Sequence, residues 1–535
     1  MYTVHPSLEF REGVAGLGGF AKETIPAGTH LIAIPYGRIL SEPYAESTLH
    51  GTTAISCLRA ANPVEVSGRT VLYLVMMAEY AGSPGVGSGA PFHDYLTCLP
   101  ERYDDPLWWP PEMSSALLAG TNLHQAVMHR LKWLQRIYDV CFPALSLAHP
   151  TLFPQRQFTF SRFMWVHSAF SSRGFPHILS VPPLLSAPSI TMPPREIGKG
   201  ESGPKVDENE EDEDEDVNPL SGRAVTGPIG CMLPIVDILN HGPRTAITWM
   251  RGAEGVTLVS GTHQGGGEEF VGAPIPAGAE VLNNYGPKSN EELLLAFGFV
   301  IPGNMDDIHV LRLKLGSHKG IARKAGIPER HVCGGADGML PSSLLSAARL
   351  LVLFDHHLPS NPSFSSSASS SSISLGVDAP LPYLLEEQAL HALAALFQMK
   401  LDSLRRHHPW VEDPGPTLKQ LILPPFKEGD GVFLSNASKC PPPPTSLGQH
   451  PPIALACPAD GDFNFPPTTT HPTTAHREWM ARVYVEGQWR VLATCLKKIG
   501  CMLGELWGGG GAATRTHLFC THHPPSGGAR RSAVN

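Results

Sequence analysis

Two short segments of this chain carry side chains that could do chemistry. The first is an apolar run over residues 232–239 that contains one acid, Asp237, and ends on Asn240 and His241. The second is the turn sequence NNYGP around Tyr285, which follows a strand-like run. A tyrosine held in such a turn is well placed to aim its hydroxyl into a pocket. There the phenol could hydrogen-bond a bound ligand.

The elements that must position these residues can be located from local patterns. Ser289 with Glu292 three residues later forms a capping box ahead of three leucines, which predicts a helix directly after the turn. Residues 30–34 form a short apolar run that reads as a strand. Apolar spacing predicts further helices over residues 71–80, 123–142, 158–175, 342–354, 382–407 and 479–499.

Composition limits the class of protein. The chain has 535 residues, of which 42% are apolar, enough for two to four domains and a large core. The net charge is −9, and residues 207–216 alone hold nine acidic side chains. The rest of the chain is therefore near neutral, which argues against a protein that binds nucleic acid through a basic face.

Cysteine usage and hydropathy exclude other classes. Ten cysteines lie far apart without a CxxC motif or metal spacing, so we expect free thiols and no metal. No run of 18 apolar residues exists, so we expect no membrane span. The first residues read as neither a secretory signal nor a transit peptide, which favours the cytoplasm or nucleus. A chloroplast location fits if a transit peptide is missing from this chain.

The two chemical segments resemble a known family. The NH pair followed by YGxKSNxELLLxxGF resembles the two sequence halves of a SET-domain methyltransferase site. The nearest pattern is that of the RuBisCO large-subunit lysine methyltransferase-like subfamily. The resemblance implies an α+β fold: a β-rich SET fold with a pseudoknot and a helical insert, followed by an all-α C-terminal domain. It also implies S-adenosyl-L-methionine as cofactor.

Other motifs extend the resemblance to the cofactor site. The segment GLGGFA after Ala15 is similar to the N-terminal SET hairpin, whose backbone lines the methyl-donor site. This implies donor contacts from Gly16, Leu17 and Gly18, since glycine lets the backbone approach a ligand closely. Relatives usually carry an acid where this chain has Ala15, so one donor contact is expected to be absent.

The remaining cofactor residues are also implied by the resemblance. Arg173, in a Ser-Arg pair at a helix end, matches the arginine that holds the donor carboxylate, and a guanidinium fits a carboxylate bidentately. Asn240 and His241 match residues that contact the adenosine and amino-acid ends of the donor. Phe299 matches the aromatic residue that packs on the adenine.

The resemblance assigns the acceptor side of the site as well. Tyr285 is the predicted catalytic phenol. Asp237 matches a position near the target side chain, and Phe297 lies where many relatives have a tyrosine whose hydroxyl holds the amine nitrogen. The missing hydroxyl predicts looser control of methylation number, or a different acceptor such as histidine.

The predicted domains are a SET domain over residues 1–310, with a helical insert at about 50–150 and a disordered acidic loop at about 182–226. A helical substrate-binding domain follows over 311–505, with low-complexity loops at about 359–380 and 436–475, and a disordered Gly-rich tail over 506–535. The helical domain is expected to dock the protein substrate.

The predicted function is therefore protein-lysine N-methylation of a non-histone protein by a monomer. Two alternatives stay open at this point. One is a protein-histidine N-methyltransferase, and the other is an inactive SET scaffold that binds protein partners.

Overall fold

The structure, a computed structural model, describes residues 2–13, 16–61, 68–82, 90–183, 191–192, 230–263, 270–334, 340–357, 380–411 and 474–508. The strands are β1 (Thr3–Val4), β2 (Leu8–Gly13), β3 (Gly16–Ala21), β4 (His30–Pro35), β5 (Gly174–Phe175), β6 (Thr191–Met192), β7 (Cys231–Met232), β8 (Ile247–Arg251), β9 (Gly255–Ser260), β10 (Thr262–His263), β11 (Phe270–Val271), β12 (Glu280–Val281), β13 (Ile308–Arg312) and β14 (Arg330–Gly334). The α-helices are α1 (Glu42–Ser47), α2 (Leu49–Ala61), α3 (Gly68–Tyr80), α4 (His93–Thr97), α5 (Pro111–Leu117), α6 (Asn122–Ala148), α7 (Phe160–Arg173), α8 (Asn290–Phe297), α9 (Lys319–Lys324), α10 (Ser342–His357), α11 (Tyr383–His407) and α12 (Thr474–Gly508).

Short strands form several small antiparallel sheets. The largest has the strand order β1-β4-β9-β8-β6, and a second has the order β12-β3-β2. In the second sheet, Val281 of β12 lies opposite Gly19 of β3, although the two strands are far apart in sequence. The strand predicted for residues 30–34 is present in β4, where Leu31, Ile32 and Ile34 are buried. These strands enclose a β-rich core of their own.

Helices α2 to α6 lie where the helical insert was predicted, and α7 packs on α3. Buried side chains of this region continue into the C-terminal helices without a break. Phe163 of α7, Leu294 of α8, Phe397 of α11 and Tyr484 of α12 belong to one apolar cluster. The insert and the C-terminal region are therefore held together by a shared core, which favours one cooperative body over two loosely joined ones.

The C-terminal region departs from the all-α prediction at its start. Strands β13 and β14 pair antiparallel from Ile308 opposite Gly334 to Arg312 opposite Arg330. The predicted domain boundary between residues 310 and 311 falls inside β13. Burial alternates along both strands, but His309 and His331 are among the buried side chains, so the apolar pattern of the sequence did not indicate strands here. From α10 onward the described region is helical, as predicted.

Most of the predicted low-complexity segments lie outside the described residues. This applies to the acidic loop (182–226), the loops at 359–380 and 436–475, and the tail over 506–535. Ala15, where a donor contact was expected to be absent, also lies outside the described residues. Where these ranges are described, they differ from the prediction. Thr191–Met192 forms β6, because the open edge of β8 pairs with it, and residues 474–475 and 506–508 belong to α12. Within the described ranges, no helix is long and apolar enough to cross a membrane.

Candidate functional site

The two chemical segments cross each other through backbone hydrogen bonds. The Asn283 N–H donates to the Asn240 carbonyl at 2.8 Å, and the Gly242 N–H donates to the Asn283 carbonyl at 2.8 Å. His241 and Asn283 form a parallel bridge between the segments. The convergence on which the sequence argument depended is therefore present, and it corresponds to the predicted pseudoknot.

The crossing places Tyr285 in an aromatic group. Its ring stacks with His241 at a centroid distance of 4.9 Å and with Phe297 at 5.1 Å. Phe299 lies 6.1 Å from Phe297 and 6.4 Å from His241. The Tyr285 N–H donates to His241 Nδ1 at 3.2 Å, and the phenol donates to the Leu239 carbonyl at 2.9 Å. Both rings of the stack are thus oriented by hydrogen bonds as well as by packing.

Burial sets the charge state of these two side chains. It lowers the pKa of His241 to about 4, against a smaller opposing effect of the Asn283 backbone, so the imidazole is neutral at pH 7. It raises the pKa of Tyr285 to about 12, with Arg173 opposing the shift. The phenol therefore keeps its proton at neutral pH and acts as a hydrogen-bonding group rather than as a phenolate.

Strand β3 reaches this crossing through glycine contacts. A Cβ on Gly19 would lie 2.4 Å from Leu239 Cδ2, and a Cβ on Gly18 would lie 3.1 Å from Asn240 Nδ2. Asn240 Nδ2 donates to the Leu17 carbonyl at 3.4 Å and to Glu280 Oε1 at 2.7 Å. Glycine is needed here because any side chain would push the strand away from the Asn-His turn.

A buried ionic group lies beside the phenol. Arg173, the last residue of α7, donates from Nη1 to the Asp237 carbonyl at 2.9 Å and to Asp237 Oδ2 at 3.1 Å. The Tyr95 hydroxyl donates to the same carboxylate oxygen at 2.8 Å, and Tyr103 lies near Arg173. The Asp237 side chain has no exposed area, whereas that of Arg173 is 22% exposed.

The electrostatics of this group follow from its burial. Burial alone would lower the pKa of Arg173, but Asp237 and the two tyrosines raise it above its ordinary value. Burial raises the pKa of Asp237, and Arg173 and Tyr95 oppose that shift. The opposite charges compensate each other in a setting where either charge alone would be costly.

The structure brings together most of the residues named from the sequence. Around the crossing these are Gly18, Asn240, His241, Tyr285, Phe297 and Phe299. Leu17 contacts Asn240, and Gly16 opens β3 with a φ of +91°. The donor roles of these residues and of Arg173 stay predictions.

Asp237 requires a different interpretation from the one first given. The sequence assigned its carboxylate to the substrate side, but the side chain is fully buried against Arg173 and Tyr95. In this arrangement it cannot meet a substrate amine directly. The geometry favours a positioning role, because Asp237 fixes the guanidinium of Arg173.

Three residues of the site were not named from the sequence. Glu280 could have been found, because strand alternation places it on the same face as Phe20 and near Gly18. Tyr95 lies in the Y-x-x-x-LPE landmark of the insert, and Tyr103 follows it. Nothing local signals their contact with Asp237 and Arg173 across long sequence separations.

In the part of the chain that the structure describes, no group of three or more His, Cys, Asp and Glu side chains is arranged to hold a metal ion. The arrangement provides aromatic rings, one guanidinium and several oxygen acceptors around a glycine strand. Those groups suit an organic cofactor with a planar base and charged ends.

Comparisons with known proteins agree with this fold. One solved structure, the SET domain of LSMT bound to lysine and AdoHcy, superposes on this chain with a TM-score of 0.58. The two are 14% identical, and the match covers 94% of this chain and 89% of that one. The structure of Rubisco LSMT bound to AdoMet gives a TM-score of 0.56 at 14% identity, covering 94% of this chain and 89% of that one. The chain therefore has the mixed helix-and-sheet SET fold of these structures, as its motifs predicted.

Curated relatives point to the same class. The chain is 27% identical over 330 residues to ribosomal lysine N-methyltransferase set10 of Schizosaccharomyces pombe, covering 60% of this chain and 47% of that protein. It is 26% identical over 333 residues to N-lysine methyltransferase SETD6 of Homo sapiens, covering 60% of this chain and 56% of that protein. The matched part spans about half the length of these relatives. No protein-family model matches the chain.

Proposed function

We propose that this chain is an S-adenosyl-L-methionine-dependent protein-lysine N-methyltransferase. The observation that carries the proposal is the crossing of the two segments. It stacks Tyr285 on His241 and at the same time hydrogen-bonds Asn240 to the carbonyl of Leu17 in the glycine strand. The crossing therefore brings together the Tyr285 phenol, the aromatic rings stacked beside it, and the backbone of the glycine strand β3.

The residues present fit the cofactor. Because Gly18 has no Cβ, the Glu280 carboxylate and the Asn240 amide lie close to the backbone of β3 and present polar groups for the charged end of the cofactor. Arg173 retains exposed area beyond its contact with Asp237, and a guanidinium pairs bidentately with a carboxylate. Phe299 and neutral His241 supply flat apolar surfaces for a base.

When bound, S-adenosyl-L-methionine supplies an electrophilic methyl group. The protein's own task is to hold an uncharged amine in line with that group and to exclude water. Tyr285 contributes a protonated phenol whose oxygen keeps an acceptor lone pair for an amine N–H. The apolar ring of Phe297 beside it disfavours the charged ammonium form by desolvation.

A lysine target is favoured because the relatives are named as lysine methyltransferases. We propose further that the protein substrate is not a histone, that the helical region from α10 to α12 docks it, and that the active unit is a monomer. The near-neutral charge outside the acidic run supports a protein rather than a nucleic-acid partner.

The test is incubation of the full chain with isotopically labelled S-adenosyl-L-methionine and a cell extract. Mass spectrometry of the labelled band then identifies the modified residue. Labelled lysine supports the proposal, whereas labelled histidine would favour the protein-histidine methyltransferase. If calorimetric titration detects no donor binding, the inactive scaffold is favoured instead.

A matched pair of variants tests the role of the phenol. Tyr285→Phe should slow turnover by roughly 10²-fold, as expected for loss of one positioned hydrogen-bonding group, while donor affinity stays near that of the wild type. Tyr36→Phe is the control, because its hydroxyl also donates to a carbonyl, that of Gly252, at 2.9 Å. Equal activity of the Tyr285→Phe and Tyr36→Phe variants would overturn the mechanism.

A further inference from the structure

One acid of the site, Glu280, has no role in the proposed methyl transfer. Glu280 lies on β12 opposite Phe20, and its side chain crosses the face of strand β3. A Cβ on Gly18 would lie only 2.5 Å from Glu280 Oε1. The carboxylate therefore occupies the space directly over Gly18, and it can do so only because that residue has no side chain.

The acceptors around this carboxylate converge. Asn240 Nδ2 lies 2.7 Å from Glu280 Oε1 and 3.4 Å from the Leu17 carbonyl, so one amide lies between two oxygen acceptors. The amide oxygen of Asn240 is a third acceptor on the same side chain. Leu17 is 50% exposed, and Asn240 and Glu280 are partly exposed, so a ligand can approach this group from solvent.

A primary ammonium matches this arrangement. It carries three N–H donors and a positive charge, and it needs acceptors of which at least one is anionic. The hydrogen bond that Glu280 accepts comes from an uncharged amide, which leaves the negative charge of the carboxylate uncompensated by that contact. The other acid of the site, Asp237, is buried and is paired with Arg173.

We propose that Glu280 is the counter-ion of the α-ammonium group of the methyl donor, with the Leu17 carbonyl and the Asn240 amide oxygen as its neutral partners. Arg173 and Glu280 then hold the two opposite charges at the amino-acid end of the donor. This inference rests on the proposed function, because it requires that S-adenosyl-L-methionine binds at the glycine strand.

Calorimetric titration of the full chain tests the inference with two ligands. S-adenosyl-L-methionine has the ammonium group, and 5′-methylthioadenosine has the same nucleoside without the amino-acid end. Glu280→Gln keeps an acceptor for Asn240 but removes the charge. It should weaken binding of S-adenosyl-L-methionine about tenfold or more, as expected for loss of a charge-assisted hydrogen bond, and leave 5′-methylthioadenosine unchanged.

Two controls separate a binding role from a structural one. Glu9→Gln changes an exposed glutamate on the neighbouring strand β2 and should bind both ligands as the wild type does. Glu280→Asp keeps the charge and should bind S-adenosyl-L-methionine more tightly than Glu280→Gln does. Thermal unfolding of each unliganded variant checks that the fold is intact.

The outcomes are distinguishable. If the wild type binds neither ligand, the proposed function and this inference both fail. If the wild type binds both and Glu280→Gln binds S-adenosyl-L-methionine equally well, only the inference fails. Parallel weakening of both ligands would also overturn it, because the carboxylate would then serve the nucleoside or the fold rather than the ammonium.

Discussion

Replacing Glu291 by glutamine should make the protein more stable at alkaline pH and leave it unchanged at acidic pH. Glu291 is the second residue of α8, the helix that begins just after Tyr285, and it is only 4% exposed. The Tyr484 hydroxyl of α12 donates to its Oε2 at 2.8 Å. Burial raises the pKa of Glu291 from 4.5 to about 7, a shift that Tyr484 opposes and that Glu292 and Asp307 reinforce.

The sign and size of the effect follow from this pKa. The folded protein holds the proton more tightly than the unfolded chain, so stability falls as the pH rises from about 4.5 to about 7 and is then constant. At about 1.4 kcal/mol for each pH unit in that window, the cost above pH 7 is at most about 3.5 kcal/mol. Glutamine removes this cost, because it is neutral at every pH and still offers an oxygen to the Tyr484 hydroxyl.

Urea unfolding of wild type and Glu291→Gln at pH 5, 6, 7 and 8 measures the difference directly. We expect Glu291→Gln to be more stable by roughly 1–3 kcal/mol at pH 8, with the gap closing towards pH 5. Asp307 is present in both proteins, and its electrostatic coupling to Glu291 is part of the difference that is measured. Glu254→Gln, in the exposed turn between β8 and β9, should show no such trend. A difference that does not depend on pH would refute the reasoning.

Two further predictions concern the acceptor pocket and the link between insert and C-terminal helix. Phe297→Tyr adds a hydroxyl beside Tyr285 and should shift the product towards fewer methyl groups, which mass spectrometry of the methylated substrate would detect. An unchanged product distribution would show that Phe297 does not control the number of methyl groups. Arg477→Ala leaves the buried Asp104 carboxylate without its partner at 2.6 Å and should cost about 3–5 kcal/mol in urea unfolding. The double variant with Asp104→Asn should recover part of that loss, and a double variant that recovers nothing would show that the pair is not the cause.

Local chemistry predicted the local structure well. Ser289 and Glu292 form the capping box expected of them, and Gly298 ends the same helix in the left-handed conformation. Asp237 was recognised as a buried acid, and its side chain is fully buried. These features depend on residues a few positions apart, where sequence patterns are informative.

Partners that are distant in sequence could not be predicted from patterns. The crossing at Asn283 and Asn240 was expected only because the motifs resemble a known family, since neither periodicity nor spacing specifies it. The contact of Tyr95 with Asp237 joins positions 142 residues apart, and the contact of Tyr484 with Glu291 joins positions 193 apart. A hydroxyl and a carboxylate have many possible partners, and the fold selects among them.

Helix α12 also has a consequence for the order in which the protein matures. Three side chains of α12 complete hydrogen bonds: Arg477 to Asp104, Tyr484 to Glu291, and Gln488 to the Ile308 carbonyl. The ribosome makes all three of these partners long before it reaches α12. During translation, the acid at the start of α8 stays hydrated until this late helix arrives. A chain that ends before residue 474 would carry both turns and the glycine strand without that support, so we expect the site to be completed only after α12 has been made.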